Sequence, residues 1–331
     1  PFDDYYFSPF FSYVRMETLK DYWRDSLHLL ASILRHSRFS DHMIEKNREV
    51  LQSLLQKYGN KIDEQLRDEA TRHFFPSHPY GKNWRGKFPE IEKIAQEDIE
   101  TYYRKTFQPQ NIIISVVGDI DPEEMIEILE SEFEDWQPEH FVELPGWVAH
   151  KGRYEIPVEG KMGGVSLFCS VPGAQSPEFP ALQVATLFLS EHLNLRLREE
   201  KGFVYTISSS LLPHPDFGIW RISYVTGSEN LDASLEELST LIEQMKQAMP
   251  SAEDIRRNMT KWKAQYLRFS QSSINLAYFL SAYAFWKNDA EEGLTPWGKM
   301  EHTTPERVQE MMQKYLDLNQ CILVVARPSF G

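Results

Sequence analysis

Arg198 and Tyr205 are the residues whose types and spacing invite chemistry. They lie seven positions apart in the stretch Leu197-Arg198-Glu199-Glu200-Lys201-Gly202-Phe203-Val204-Tyr205. An apolar helical run (Leu182, Ala185, Leu189, Leu193, Leu197) enters this stretch and a β-rich run (Val204 to Ile207) leaves it, with Lys201-Gly202 as the stop. A guanidinium at a helix end and a phenol on the following strand can be offered to one polar group. Together they could hold a peptide carbonyl or a developing oxyanion. The plainer alternative is a cation that merely complements a helix C-terminus.

Other candidates have bland readings of comparable weight. His78 stands in the turn-rich loop Pro76 to Asn83, where a lone His packs a loop more often than it binds a metal. His192 sits on the apolar helix ahead of Arg198 and reads as a satisfied or half-exposed side chain. Glu199-Glu200 are adjacent on a helix, point in different directions, and read as a solvated helix end rather than an acid–base pair. Tyr278, Phe279, Tyr283, Phe285 and Trp286 recur at helical spacing, as core or as the lining of a peptide groove. Gly163-Gly164 opens a strand and lacks a phosphate-loop context.

The elements that must position these residues follow from periodicity and punctuation. Asp3 to Phe11 is a short aromatic strand. Helices are expected from Met16 to Arg35, from Ser40-Asp41 to Tyr58 with Gly59-Asn60 as the stop, and from Lys61 to Phe75. Ala95 to Thr106 is helical, Asn111 to Val117 is a β-branched strand, and a helix capped by Asp121 runs to Phe133. After an aperiodic stretch around Trp136 to Trp147 come strands near Tyr154 to Val158 and Val165 to Val171. A helix from Pro177 to Glu199, a strand at Gly218 to Val225, three helices over Leu231 to Asn288, and a helix from Pro305 into a strand ending at Ala326 complete the chain.

With 331 residues the chain can hold two cores, and its 41% hydrophobic and 25% charged composition is that of a globular protein. A formal net charge of −14 argues against a nucleic-acid partner, because there is no excess of phosphate-neutralising cations. Cys169 and Cys321 lie in apolar strand runs and read as buried core thiols. Ile274 to Trp286 falls short of a membrane span and reads as a buried helix. The chain opens on Pro1 with no initiator Met, basic n-region or apolar h-region that reads as a targeting segment, and this start reads as a processing site or an imposed boundary.

One internal match organises the chain. Asp98 to Val117 and Glu306 to Val325 overlay without a gap, with Phe107 on Tyr315, Asn111 on Asn319 and Val116-Val117 on Val324-Val325, an offset of 208 residues. A duplicated domain is the economical explanation. The same offset sends Tyr154 to Glu199 to positions −54 through −9, so the first domain reads as lacking its opening strands and helix.

His78-Pro79-Tyr80-Gly81, the run Ile94 to Ile99 leading to Tyr103, Asn111 to Asp119, and Leu197 to Tyr205 occur in an order that resembles the pitrilysin/insulinase family of zinc metallopeptidases. The resemblance implies an α+β fold of two homologous domains, each a mainly antiparallel sheet packed with helices, the first truncated at its N-terminus. Residues 1–140 would be the first domain, 141–150 a linker and 151–331 the second. In that family a helix carries H-x-x-E-H, whose histidines bind zinc and whose Glu activates the bound water. The second acid of an E-x6-E pair completes the site.

This sequence contains no H-x-x-E-H. Counting back from Gly81 along the family pattern puts the acidic pair on Asn47 and Leu54, neither of which is an acid. The resemblance therefore implies no metal and no catalytic residue in this chain alone, with zinc expected in a partner half. It also implies that Arg198 and Tyr205 contact substrate backbone. The expected function is that of the non-zinc-binding component of such a peptidase. Its expected partners are a peptide or unfolded protein substrate and an H-x-x-E-H-bearing chain or upstream half in an oligomer, with no nucleic acid and no membrane span. The alternative is a non-catalytic scaffold or peptide-binding protein, and cytoplasm and periplasm both stay open.

Overall fold

Among the described residues, a hairpin and six α-helices make up the first half of the chain. The structure, a computed structural model, describes residues 2–7, 10–59, 61–83, 85–138 and 144–329. Strands β1 (Phe2–Phe7) and β2 (Ser12–Met16) pair antiparallel. Helices α1 (Trp23–His36), α2 (Asp41–Gly59) and α3 (Ile62–Phe74) follow, then a short α4 (Phe88–Ile91) and α5 (Gln96–Thr106). Helix α6 (Pro122–Phe133) starts where Asp121 accepts the backbone N–H groups of Glu123 and Glu124 at 2.9 and 3.3 Å. The helix stop expected at Gly59-Asn60 falls partly on Asn60, and the 141–150 linker partly on 141–143, outside the described residues.

Five strands form the sheet of the second half. They are β3 (Gly152–Val158), β4 (Met162–Pro172), β5 (Val204–Pro213), β6 (Phe217–Gly227) and β7 (Ile322–Pro328). Their order is β3-β7-β4-β6-β5, with only the β3–β7 pair parallel. Helix α7 (Phe179–Leu193) is apolar on nearly every side and is buried between this sheet and α8 (Leu231–Gln247), α9 (Ala252–Phe269) and α12 (Pro305–Tyr315). Helix α10 (Ser273–Lys287) and the short α11 (Trp297–Met300) complete the helical set. Glu178 ties the start of α7 to α12 by accepting from the Tyr315 hydroxyl and pairing with Lys314 at 2.9 Å and Arg307 at 3.3 Å.

Three expectations need correction. Cys169 and Cys321 are not free thiols but form a disulfide. Strands β4 and β7 pair with Phe168 opposite Ile322, so the next residues along, 152 apart in sequence, face each other with Cα atoms 4.4 Å apart. The β-branched run after Asn111 is extended at Ile112 but pairs with no strand among the described residues. Extended backbone becomes a strand only with a neighbour, and here the hydroxyl of Ser281 on α10 donates to that of Ser115 at 2.7 Å instead. Helix α10 is not buried along its length, for only Ala282 and Tyr283 are fully covered.

The two halves grip each other reciprocally. Leu66, Ala70 and Phe74 of α3 lie on the second-half sheet with Phe168, Ile219, Val324 and Ala326. In the other direction, α10 lies on the first half, with Tyr278 edge-on to Tyr13 of β2 and Phe285 and Trp286 against Phe11. The 208-residue offset relates these pieces. It lays β5, β6, α8, α9, α10, α11 and α12 onto β1, β2, α1, α2, α3, α4 and α5 in order, with starts that differ by no more than six residues.

Close approach of α3 to β4 depends on Gly164. A Cβ there would stand 2.7 Å from the Tyr224 carbonyl oxygen and 2.8 Å from Leu66 Cδ1. Gly164→Val is therefore expected to destabilise the protein by ~1–3 kcal/mol through overpacking, read as a lowered urea midpoint. The Glu178 clamp gives a second outcome. The Tyr315 hydroxyl, with Lys314 and Arg307, holds the Glu178 carboxyl below its ordinary value of 4.5. A depressed folded-state pKa gives stability that is full above 4.5 and lost as pH falls through the folded value. Thermal melts from pH 7 downward are expected to show Glu178→Gln less stable at neutral pH by ~1–3 kcal/mol, with the gap to the parent protein closing in acid.

Candidate functional site

The corner that carries Arg198 and Tyr205 begins as a regular helix and ends as a wider one. Helix α7 passes into a π turn over Asn194–Glu200, where the Lys201 N–H reaches the Arg196 carbonyl at 3.2 Å. Leu193 and Leu197 stay fully buried, so the extra residue of the wide turn is accommodated on the solvent side. Asn194 donates its amide to the Ser190 carbonyl at 2.8 Å and the Ile207 carbonyl at 3.4 Å, tying the turn to β5. Gly202, with φ of +63°, turns the chain back, and the Phe203 N–H closes the corner on the Leu197 carbonyl at 2.9 Å.

Strand β5 then opens with an irregularity. Its register against β6 shifts between Val204 and Ile207, and the bulge pushes Tyr205 outward to 86% exposure. The Arg198 guanidinium lies 5.8 Å from the centre of the Tyr205 ring. The structure thus brings together the two residues that the sequence singled out.

Charge bookkeeping at the corner leaves this pair uncommitted. Arg196 is held by Glu200 at 2.8 Å and Glu237 at 2.6 Å, and Lys201 is 3.5 Å from Glu237. Arg198 has only a loose 3.6 Å contact with exposed Glu199. Its fork of N–H donors and the Tyr205 hydroxyl face solvent as adjacent hydrogen-bond donors, suited to a carbonyl or an oxyanion. Glu237 on α8, which takes the neighbouring cations, had no sequence signal, because a single acid on an amphipathic helix is unremarkable in pattern.

The remaining candidates resolve as structure. His78 is buried, its Nδ1 accepts the Tyr80 N–H at 3.1 Å, and its Nε2 donates to the Pro145 carbonyl at 3.0 Å, so both ring nitrogens are occupied. His192 Nδ1 reaches the Phe188 carbonyl at 3.0 Å. Glu199 and Glu200 form a solvated helix end. The aromatic series divides. Tyr278 and Phe285 pack on the first half, while Phe279, Tyr283 and Trp286 line a cavity of about 310 Å³ with Phe179, Leu211 and Trp262, beside the outer strand β5.

The residues at the positions expected to hold zinc do not fit that ion. Asn47 donates its side-chain amide to the Met43 carbonyl at 2.8 Å, and Leu54 presents an apolar side chain 37% exposed on the same face of α2. Neither offers the anionic or imidazole donor that zinc takes. Among the described residues, no group of three or more His, Cys, Asp or Glu could hold a metal ion. None of the described helices is long and apolar enough to cross a membrane.

Known proteins match both the sequence and the fold. An uncharacterized zinc protease of Rickettsia bellii is 20% identical over 302 residues, covering 87% of this chain and 68% of the relative. A probable mitochondrial-processing peptidase subunit beta of Schizosaccharomyces pombe is 28% identical over 110 residues, which is 33% of this chain and only 24% of that relative. The crystal structure of a peptidase M16 inactive domain from Pseudomonas fluorescens superposes with a TM-score of 0.84 at 17% identity, over 97% of this chain and 79% of that one. That likeness carries the fold. With residues 93–261, half of its length, matching the peptidase M16 inactive domain, the chain belongs to the M16 peptidase family, in keeping with the pitrilysin/insulinase resemblance of its motifs.

Proposed function

We propose that this chain is the zinc-less component of an M16-type peptidase and that Arg198 and Tyr205 are its contribution to substrate binding. The observation that carries this reading is the pair itself: a guanidinium 5.8 Å from a phenol ring, on one exposed corner, with the neighbouring cations already neutralised. Two charge-capable donors side by side complement the oxygen of a peptide carbonyl. They complement it better as charge builds on that oxygen in a tetrahedral intermediate. The hydrolytic metal would belong to a partner half bearing H-x-x-E-H, either another polypeptide or an upstream part of a longer one. Names of relatives such as the subunit beta of a processing peptidase favour an oligomeric setting.

The same reading takes residues 1–140 and 151–331 as a duplicated pair of domains joined by 141–150. The shared order of seven elements at one offset supports it. The rival reading is a scaffold or peptide-binding protein that keeps the peptidase fold, and the match to an inactive domain favours it. Under that reading the pair plays no part in turnover.

Peptide hydrolysis by the complex reconstituted with its H-x-x-E-H partner separates the two. Arg198→Ala and Tyr205→Phe are each expected to lower kcat ~10- to 1000-fold. Both side chains are exposed, so the melting temperature should hold, with a change in stability within about 0.5 kcal/mol. Unchanged turnover would leave the scaffold reading in place.

A further inference from the structure

A cavity of about 310 Å³ lies between α9, α10, the start of α7 and the end of β5. Its walls are rings, those of Phe179, Trp262, Tyr266, Phe279, Tyr283 and Trp286. Polar groups on the wall are engaged elsewhere: Tyr266 donates its hydroxyl to the Gly293 carbonyl, and Lys287 is paired with Glu292. Burial pushes the Tyr266 and Tyr283 phenols well above their ordinary value, so both stay neutral. Phe269, which also lines the cavity, is 62% exposed and stands where it opens to solvent. An uncharged, ring-lined interior of this kind favours an apolar group.

The strand beside this cavity has a free edge. Strand β5 is outermost in the sheet, with β6 on one side and no strand on the other among the described residues. Every second residue of such a strand turns its N–H and C=O away from the sheet. Asn194 already meets the Ile207 carbonyl at 3.4 Å, so the open part of the edge follows Ile207.

The pleat of β5 aims this edge at the cavity. Ile207, Ser209, Leu211 and Pro213 share one face at a period of two. Ile207 lies in the core with α7, Ser209 accepts the Trp220 indole N–H at 2.9 Å, and Leu211 and Pro213 line the cavity. Residues directly opposite each other on paired strands point to the same face of the sheet. A residue set opposite Leu211 on an added strand would therefore send its side chain among the rings.

We propose that the cavity receives a large apolar side chain, aromatic or branched aliphatic, of an extended peptide that adds to the outer edge of β5. Its volume is at the small end of the ~300–1,000 Å³ of ligand pockets, which suits a side chain or two rather than a cofactor. Backbone pairing with β5 gives affinity for any sequence, and the cavity supplies the choice among sequences. Tyr205 stands at the start of the same strand, six residues from Leu211, or ~20 Å at ~3.3 Å per residue. The peptides selected are those with a large apolar residue about six positions from the carbonyl offered to Arg198 and Tyr205. This inference deepens the peptide-binding part of the function proposed above and rests on it, but it is read as binding, without turnover.

The test titrates the full chain into fluorescein-labelled decapeptides of Ser and Thr that carry one Phe, followed by fluorescence anisotropy. The Phe peptide is expected to bind ~10-fold more tightly, or better, than the same peptide with Ser in its place, as burial of one large apolar side chain would give. N-methylation of alternate peptide amides should weaken binding ~10-fold in one phase and leave it within about twofold in the other, because only every second N–H faces β5. Leu211→Trp fills the cavity from the strand and should erase the preference for Phe. Phe269→Ser, at an exposed position, should reduce that preference ~3-fold with the melting temperature unchanged, which decides the matter if Leu211→Trp does not fold. Equal binding of the Phe and Ser peptides, a preference that survives Phe269→Ser and a folded Leu211→Trp, or N-methylation without effect in either phase would each overturn the inference. So would N-acetyl-phenylalanine amide displacing the labelled peptide as well as the unlabelled peptide does, since the site would then take a free small molecule. Lost turnover on Arg198→Ala with no preference for Phe would strike this site alone and leave the proposed function standing, and a preference for Phe with unchanged turnover would do the reverse.

Discussion

Burial of α7 is the constraint on which the second half depends. Nine of its fifteen residues are buried and the other six are half-buried, so no face of the helix is fully open to solvent. It must be covered by a sheet on one side and by helices on the others, and β4, β5, α8, α9 and α12 supply that cover. Each fully buried Leu or Phe adds ~1.5–3 kcal/mol of apolar burial, set against ~1–2 kcal/mol of backbone ordering per residue. Leu193 and Leu197 carry this burial to the end of the helix. The π turn and Gly202 then have to release the chain to solvent within a few residues, and that release is what sets Arg198 beside Tyr205.

The two halves are coupled because each sends a long helix onto the other, α3 from the first and α10 from the second. On one side the contact is complete. Gly164 lets Leu66 approach the sheet backbone, Phe74 and Phe75 meet Trp147 and Phe217, and His73 stacks on Tyr154. On the other side α10 meets Phe11, Tyr13 of β2 and Ser115 of an unpaired segment, and most of its residues stay half-buried. A helix with an apolar residue at almost every position cannot choose one face to bury, and α10 resolves this with aromatic contacts in several directions, to Tyr13, Phe11, His214 and Tyr266.

Much of this was legible in the sequence, and the failures share a cause. Helix positions followed from period and punctuation, as at Asp121 and Pro305, and the Arg198–Tyr205 corner followed from an apolar run ended by Lys201-Gly202. The offset of 208 residues, read from a single helix–strand pair, applies to seven elements. What pattern could not supply was partnership across the chain. Residues 112–117 have the composition of a strand but no strand beside them among the described residues, Cys169 and Cys321 meet through the β4–β7 register, and α10 has the composition of a core helix with most of its residues half-buried. The bulge after Val204 and the π turn were invisible for a related reason. Each inserts a single residue into a regular ladder, and burial on the far side determines where it goes.

The vacant acidic positions and the exposed pair differ in thermodynamic meaning. Asn47 and Leu54 are accounted for without a ligand: Asn47 returns its amide to the backbone of its own helix, and Leu54 is apolar and 37% exposed. Arg198 and Tyr205 are not, because an exposed cation–π contact at 5.8 Å stabilises by only ~0.5–1 kcal/mol, and the folds of α7 and β5 close without either side chain. A π turn and a β-bulge, each interrupting regular hydrogen bonding, set the Arg198 guanidinium 5.8 Å from the Tyr205 ring. Under the function proposed above, geometry that contributes so little to folding serves to bind substrate.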